Sequence, residues 1–210
     1  MIVHDETLER TAGRDLRVDA LTADALAAVR ADRGFRGTRV QQDRECSIPS
    51  LAALLERCML RGLCVNLELK APAADPAGLV AAVALRLSRA PQGWAAAHVL
   101  ISSFDAGLVA QSQDQLPKIP RALLCEAVAD AELATARQLG CSALNMGDRG
   151  CTPEVISAAA AAGMAVLAWT VNRPQRAHTL LADGVCCVIT DRMDLASRQA
   201  GRRAGHGPAD

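Results

Sequence analysis

The stretch from Met164 to Thr190 restricts the fold more than any other part of the sequence. Met164 to Val171 (MAVLAWTV) is an apolar run of strand length, Asn172-Arg173-Pro174 supplies an N-cap and first helical turn, and Gln175 to Ala182 reads as helix. Gly184 reads as the stop, and Val185 to Thr190 as the next strand. Two apolar strands joined by one short helix form a parallel pair with its crossover, because parallel neighbours cannot be linked by a tight turn. The same unit repeats upstream, with strands at Cys64 to Leu69, Val99 to Ser103, Ala122 to Cys125 and Ala143 to Met146. Helices are expected between them, at about Leu79 to Ser88, Asp105 to Gln113, Asp130 to Leu139 and Pro153 to Ala162. The expected fold class is α/β, with six βα-type strands in chain order where a closed (β/α)8 barrel has eight and about 250 residues.

Two strands of such a barrel are unaccounted for. Met1 to Asp5 starts at full hydrophobicity with no polar lead, so it is read as a strand fragment and the chain as lacking an N-terminal segment. Leu8 to Ser47 is the least regular part, read as helix plus loop, and Ala196 to Asp210 is small, polar and glycine-containing, read as a disordered tail. Residues 1–195 are then one domain, a partial barrel.

The 210 residues carry 23 basic and 23 acidic side chains, and half are hydrophobic. A balanced charge offers no general field for polyanions, so nucleic acid is not an expected partner, and an anionic substrate has to be met by local groups. No apolar run reaches the roughly 18 to 20 residues of a membrane span, and the start lacks the charged and apolar regions of a signal peptide. The chain is expected in the cytoplasm. The cysteines Cys46, Cys58, Cys64, Cys125, Cys141, Cys151, Cys186 and Cys187 show no zinc-like spacing and are read as reduced and buried.

The segment Val65-Asn66-Leu67-Glu68-Leu69-Lys70 breaks the apolar rule of a parallel strand. Its period of two puts Asn66, Glu68 and Lys70 on one face and Val65, Leu67 and Leu69 on the other. Three polar side chains on a barrel strand, at the end where barrel enzymes collect their catalytic groups, mark a candidate site. The bland alternative is that Glu68 and Lys70 merely pair across one pleat. Against it stands the rarity of lysine, which occurs at Lys70 and Lys118 in a chain whose cations are otherwise arginine.

His4, beside Asp5 and Glu6, is a candidate for proton transfer, with a structural histidine as the alternative. His98, placed at a strand start, His178 and His206 are read as structural. Ser103 and Phe104 end a strand before Asp105, a candidate N-cap, and either could touch a ligand. Trp169 ends another strand and suits a binding wall or the core equally. Asp191 follows the last strand as a candidate cap of the next turn.

Together these residues resemble the glycerophosphodiester phosphodiesterase family. His4 to Thr11 (HDETLERT) is similar to the family's second-histidine motif, Ile48-Pro49-Ser50-Leu51 to its I-P-T-L turn, and Asn66 to Lys70 to its N-I-E-I-K strand. The likeness continues through Ile101 to Phe104, Trp169 to Asn172 and Gly184 to Asp191, and covers Met1 to about Asp194. The resemblance, nearest to the bacterial cytosolic type, implies a (β/α)8 TIM barrel of phosphodiesterase type, incomplete here and lacking the first two strands. It implies hydrolysis of glycerophosphodiesters to glycerol 3-phosphate and an alcohol with a divalent metal, Mg or Ca. By it His4 is one of two catalytic histidines, Glu68 a metal ligand and Lys70 a phosphate partner, while Ser103, Phe104 and Trp169 contact substrate.

The family's H-R-G, P-E-N-T and E-x-D motifs do not precede His4 in this sequence. One carboxylate cannot hold a six-coordinate cation tightly, so weak or no turnover is expected of the chain as written. The competing readings are an inactive, truncated paralogue acting as a binding protein, and a barrel phospholipase acting on intact lipid. The latter lacks the amphipathic or basic membrane-facing segment it would need.

Overall fold

A computed structural model describes residues 1–33, 46–70, 75–128 and 130–192. The chain divides into two compact units, Met1–Val65 with Ala82–Pro91, and Asn66–Ala81 with Gln92–Asp210. The tail expected over 196–210 lies outside the described residues.

The described residues of Met1–Val65 form the helices α1 (Glu9–Ala12), α2 (Ala23–Ala27) and α3 (Leu51–Arg61). Helix α3 begins where the Ser50 side chain accepts from the Ala53 N–H, and it ends at Gly62, whose φ of 62° is the left-handed conformation a glycine adopts without a Cβ clash. The Pro-Ser-Leu turn read from the sequence is therefore the start of a helix. A small core of Leu8, Leu26, Val29 and Ile48 holds the remainder of this unit. Met1 to Asp5, expected to be a strand, is bent and irregular instead. Among the described residues its apolar side chains have no neighbouring strand; the Ile2 N–H donates to the Pro49 carbonyl at 3.0 Å, and Val3 packs on the small core.

Six strands follow: β1 (Val65–Glu68), β2 (Val99–Ser103), β3 (Arg121–Cys125), β4 (Ala143–Gly147), β5 (Ala165–Trp169) and β6 (Cys187–Val188). They form one sheet in the order β1-β2-β3-β4-β5-β6, and the pairs from β2 to β6 are parallel. Strand order that follows chain order without a reversal is the winding of a barrel, whereas a doubly wound sheet turns back at a switch point. The sheet is an incomplete barrel, six strands of the eight that closure takes.

The connecting helices are α4 (Pro76–Leu87), α5 (Trp94–His98), α6 (Ala106–Gln115), α7 (Asp130–Gln138), α8 (Pro153–Ala161) and α9 (Pro174–Ala182). Leu144 and Met146 of β4 and Val166 and Ala168 of β5 pack on Ile156 and Ala159 of α8 and Ala177 and Leu180 of α9, all fully or almost fully buried. The intervening residues, Asn145 on β4 and Leu167 and Trp169 on β5, therefore face the other side, the inside of the curled sheet. His98 does not open a strand. It ends the one-turn helix α5, its ring stacked on Trp94 with centroids 5.1 Å apart.

Of the cysteines expected to be buried, Cys58, Cys125, Cys141 and Cys151 are, whereas Cys64, Cys186 and Cys187 are exposed. Burial pushes the Cys125 thiol up to about 12, which keeps it neutral and unreactive at physiological pH.

Candidate active site

Strand β1 presents the alternation that its sequence implies. Leu67 and Leu69 are buried while Asn66, Glu68 and Lys70 are exposed. The Ser102 hydroxyl of β2 donates to Asn66 Oδ1 at 2.9 Å, so the polar face of β1 continues onto its neighbour through a fully buried serine. Lys70 Nζ stands 3.5 Å from Glu68 Oε1, with side chains 42% and 30% exposed. An ion pair so open to water is worth about 0 to 1 kcal/mol, too little to account for three polar groups in a parallel strand as a stability device.

The turn from β1 into Lys70 is set by Ser103. Its hydroxyl donates to the Leu69 carbonyl at 2.7 Å and accepts from the Asp105 N–H at 3.1 Å, and the residue is 1% exposed. Both capacities of the hydroxyl are thus spent on backbone. Asp105 caps α6 as expected, accepting from the N–H groups of Gly107 and Leu108.

Phe104, 53% exposed, meets Trp169 edge to face with centroids 5.6 Å apart and planes at 85°. Phe104 follows β2 and Trp169 ends β5, three strand spacings away, which in a flat sheet would be about 14 Å. Curling of the sheet brings the two rings into contact over its inner face. The indole N–H donates to the Asn145 carbonyl at 3.2 Å, which fixes the orientation of the ring.

Asn172 does not cap α9; that position belongs to Arg173. The Asn172 side chain instead donates to Asp191 Oδ2 at 2.9 Å and accepts from the Thr190 hydroxyl at 3.0 Å and the Asp191 N–H at 2.9 Å. Asp191 is thereby tied back to the end of β5.

In the first unit, His4 Nδ1 lies 2.6 Å from Asp5 Oδ1, and Arg10 grips the same carboxylate with Nε at 2.6 Å and Nη2 at 3.0 Å. The Arg10 hydrogen bonds, followed by that of His4, hold the Asp5 carboxyl down at about 2. A carboxylate on Nδ1 orients the imidazole. His4 itself is 73% exposed in its side chain.

The sequence reading missed Ser102, Glu126 at the end of β3, and the bond from Arg176 Nε to Asp148 Oδ1 at 2.6 Å. The parity of β3 could have singled out Glu126; nothing local announces the Asp148 pair, whose members lie far apart in sequence.

The model of the glycerophosphoryl diester phosphodiesterase family matches residues 1–195. The chain belongs to that family. Solved members resemble it over most of its length. The phosphodiesterase of Oleispira antarctica, in complex with the product sn-glycerol-3-phosphate, is 25% identical with a TM-score of 0.84, the match covering 94% of this chain and 78% of that one. Glycerophosphodiester phosphodiesterases from Parabacteroides distasonis (16% identity, TM-score 0.74, 96% and 78% covered) and Agrobacterium tumefaciens (22%, 0.71, 93% and 79%) share the fold. No curated protein is matched by the sequence.

The family implies a divalent cation, and a carboxylate such as that of Glu68 is a hard oxygen donor of the kind Mg or Ca prefers. Among the described residues no three of His, Cys, Asp and Glu stand close enough to hold a metal ion. The described residues therefore do not fit a six-coordinate cation by themselves. No helix of the described residues is long and apolar enough to cross a membrane.

Proposed function

We propose that this family member hydrolyses glycerophosphodiesters to glycerol 3-phosphate and an alcohol, acting in the cytoplasm on small soluble substrates, with residues 1–195 as its catalytic domain. The observation that carries the reading is the exposed Glu68 and Lys70 pair on the inner edge of β1, where a parallel strand should be apolar. Lys70 is assigned to the phosphate, where an ammonium offsets the charge that gathers on phosphoryl oxygens. His4, its Nδ1 side held by Asp5, is assigned to proton transfer. As the phosphorus–oxygen bond to the alcohol breaks, the leaving oxygen takes a proton, and a water oxygen ends on phosphorus.

Phe104 and Trp169 are assigned to the alcohol side, and Ser103 to substrate binding through the turn that it holds behind Lys70. Glu68 is proposed as one ligand of Mg or Ca. Since one carboxylate holds such an ion weakly, turnover by this chain is expected to be slow.

The test is release of glycerol 3-phosphate from glycerophosphocholine with Mg or Ca. Slow release that disappears in Lys70→Ala and in His4→Ala supports the reading. Release unchanged in both variants removes these residues from the site. The second reading, a binding protein without turnover, is favoured by the lack, among the described residues, of three His, Cys, Asp or Glu side chains close enough to hold a metal ion. It predicts that glycerophosphocholine binds and is recovered intact.

A further inference from the structure

We propose that the C-terminal ends of α3 and α4 form a docking surface for an anionic lipid membrane, in which Leu60, Leu63 and Leu85 enter the interface and Arg61, Arg86 and Arg89 meet its phosphates. The inference goes beyond the phosphodiesterase reading and does not depend on it. All six residues belong to the first compact unit.

The leucines come first. Leu60 is 77% exposed, the highest value among the described large hydrophobic residues, and Leu63 and Leu85 are 52% and 55% exposed. Helix α3 buries Leu55 and Cys58, and with roughly 3.6 residues per turn Leu60 stands on the opposite side. Helix α4 buries Val83 and Leu87, and Leu85 stands opposite them in the same way. Leu63 is fixed in place, since its N–H donates to the Cys58 carbonyl at 2.9 Å behind the left-handed Gly62. One exposed leucine on a soluble surface needs no explanation. A leucine at the centre of the solvent face of each of two helices in one unit does.

The charges around them are of one sign. Residues 57–64 and 82–91 contain Arg57, Arg61, Arg86 and Arg89 and no acidic residue, in a chain whose 23 basic and 23 acidic side chains otherwise balance. Arg61, Arg86 and Arg89 are exposed, and among the described residues no carboxylate pairs with them. A helix C-terminus favours cations, which accounts for Arg61 and Arg86 but not for the leucines beside them. Apolar side chains flanked by arginines are the composition that binds an interface of acyl chains and anionic headgroups. A second copy of this chain on a two-fold axis would cover the leucines only by setting the same arginines against one another.

The sequence has no continuous membrane-facing segment because this surface is not continuous in sequence. Helix α3 precedes β1 and α4 follows it, and each contributes only its end. Three leucines and a few arginines make a weak, reversible association rather than an anchor. Such docking brings the chain to a lipid surface without making intact lipid its substrate.

The test is co-sedimentation of the full chain with vesicles of phosphatidylcholine alone and of phosphatidylcholine mixed in equal parts with phosphatidylglycerol. The chain is expected on the mixed vesicles and not on the neutral ones, with binding that falls as salt is added. Arg86→Gln combined with Arg89→Gln should weaken it about tenfold or more, the effect of two cations near an anionic surface. Leu60→Ser should weaken it about fivefold or more through lost apolar burial. These side chains face solvent, so the thermal transition of each variant should match that of the parent chain, and Leu85→Ser gives a second reading of the apolar part should Leu60→Ser not fold. No binding to mixed vesicles, equal binding to both kinds, or binding untouched by all the substitutions overturns the surface. A concentration-dependent dimer in light scattering that Leu60→Ser dissociates overturns it too, by making the same face an interface between copies.

Discussion

Arg176 of α9 holds Asp148, at the end of β4, by a bond from Nε to the carboxylate at 2.6 Å, while its Nη2 donates to the carbonyls of Asp148 at 2.8 Å and Cys151 at 3.1 Å. One guanidinium thus fixes the whole turn Asp148–Gly150 at the mouth of the sheet. Both side chains are 31% exposed, so the bonds are neither sealed from water nor fully screened by it. Three acceptors in this arrangement suit a planar fork and not a point charge. Arg176→Ala is expected to cost about 2 to 3 kcal/mol and Arg176→Lys about 1 to 2. Asp148→Asn should cost less, because the two carbonyl bonds survive. Urea unfolding of the three variants checks the order, and an Asp148→Asn loss equal to that of Arg176→Ala would put the weight on the carboxylate instead.

Gly147 tests the close approach of β3 to β4. A Cβ there would meet the Glu126 carbonyl at 2.6 Å, a backbone atom that cannot rotate away. Gly147→Ala is expected to destabilise by about 1 to 3 kcal/mol, the usual cost of forcing extra volume into packed structure. The same substitution should displace the Glu126 carboxylate. A thermal transition of Gly147→Ala equal to that of the parent chain would overturn the close approach of the two strands.

The Asp5 carboxyl, held at about 2 by Arg10 and His4 against an ordinary 3.8, gives the first unit a pH dependence of known sign. A depressed carboxyl contributes stability that is fully present above its unfolded value and is lost as pH falls through its folded one. The window is therefore about pH 4 down to pH 2. Exposure of Arg10 and His4 keeps the contribution small. Arg10→Ala should move the Asp5 titration up toward 3.8, measured by the carboxyl carbon resonance. A titration still near 2 in that variant would assign the shift to His4.

The strands and their order are legible in the sequence because each strand is an apolar run and each crossover needs a helix; the readings over Val99 to Ser103 and Pro153 to Ala162 fall within a residue of the observed elements. The polar face of β1 is legible for the same reason, since a period of two in an apolar context leaves one interpretation. The opening Met-Ile-Val is different. Three apolar residues state that something will be buried, not that a strand lies alongside, and Val3 packs on the small core of Leu8, Leu26, Val29 and Ile48 instead. His98 was misplaced because a one-turn helix has no periodicity to read, and its stacking on Trp94 is the feature that holds it. Asn172 looks like an N-cap in sequence because a cap is a local bond; its actual partners, Thr190 and Asp191, become neighbours only once β5 and β6 pair. The Arg176 and Asp148 bond is hidden for the same non-local reason.

Ser103 separates a positioning role from direct ligand contact. Its hydroxyl is buried and committed at both ends, to the Leu69 carbonyl and the Asp105 N–H. Removing it leaves a buried carbonyl without that partner, at an expected cost of about 1 to 3 kcal/mol in Ser103→Ala. Because Leu69 precedes Lys70, the same change should loosen the ammonium and weaken binding of phosphate. Titration of the folded variant with inorganic phosphate checks this. Phosphate affinity unchanged by the substitution would show that the turn held by Ser103 does not position the ammonium.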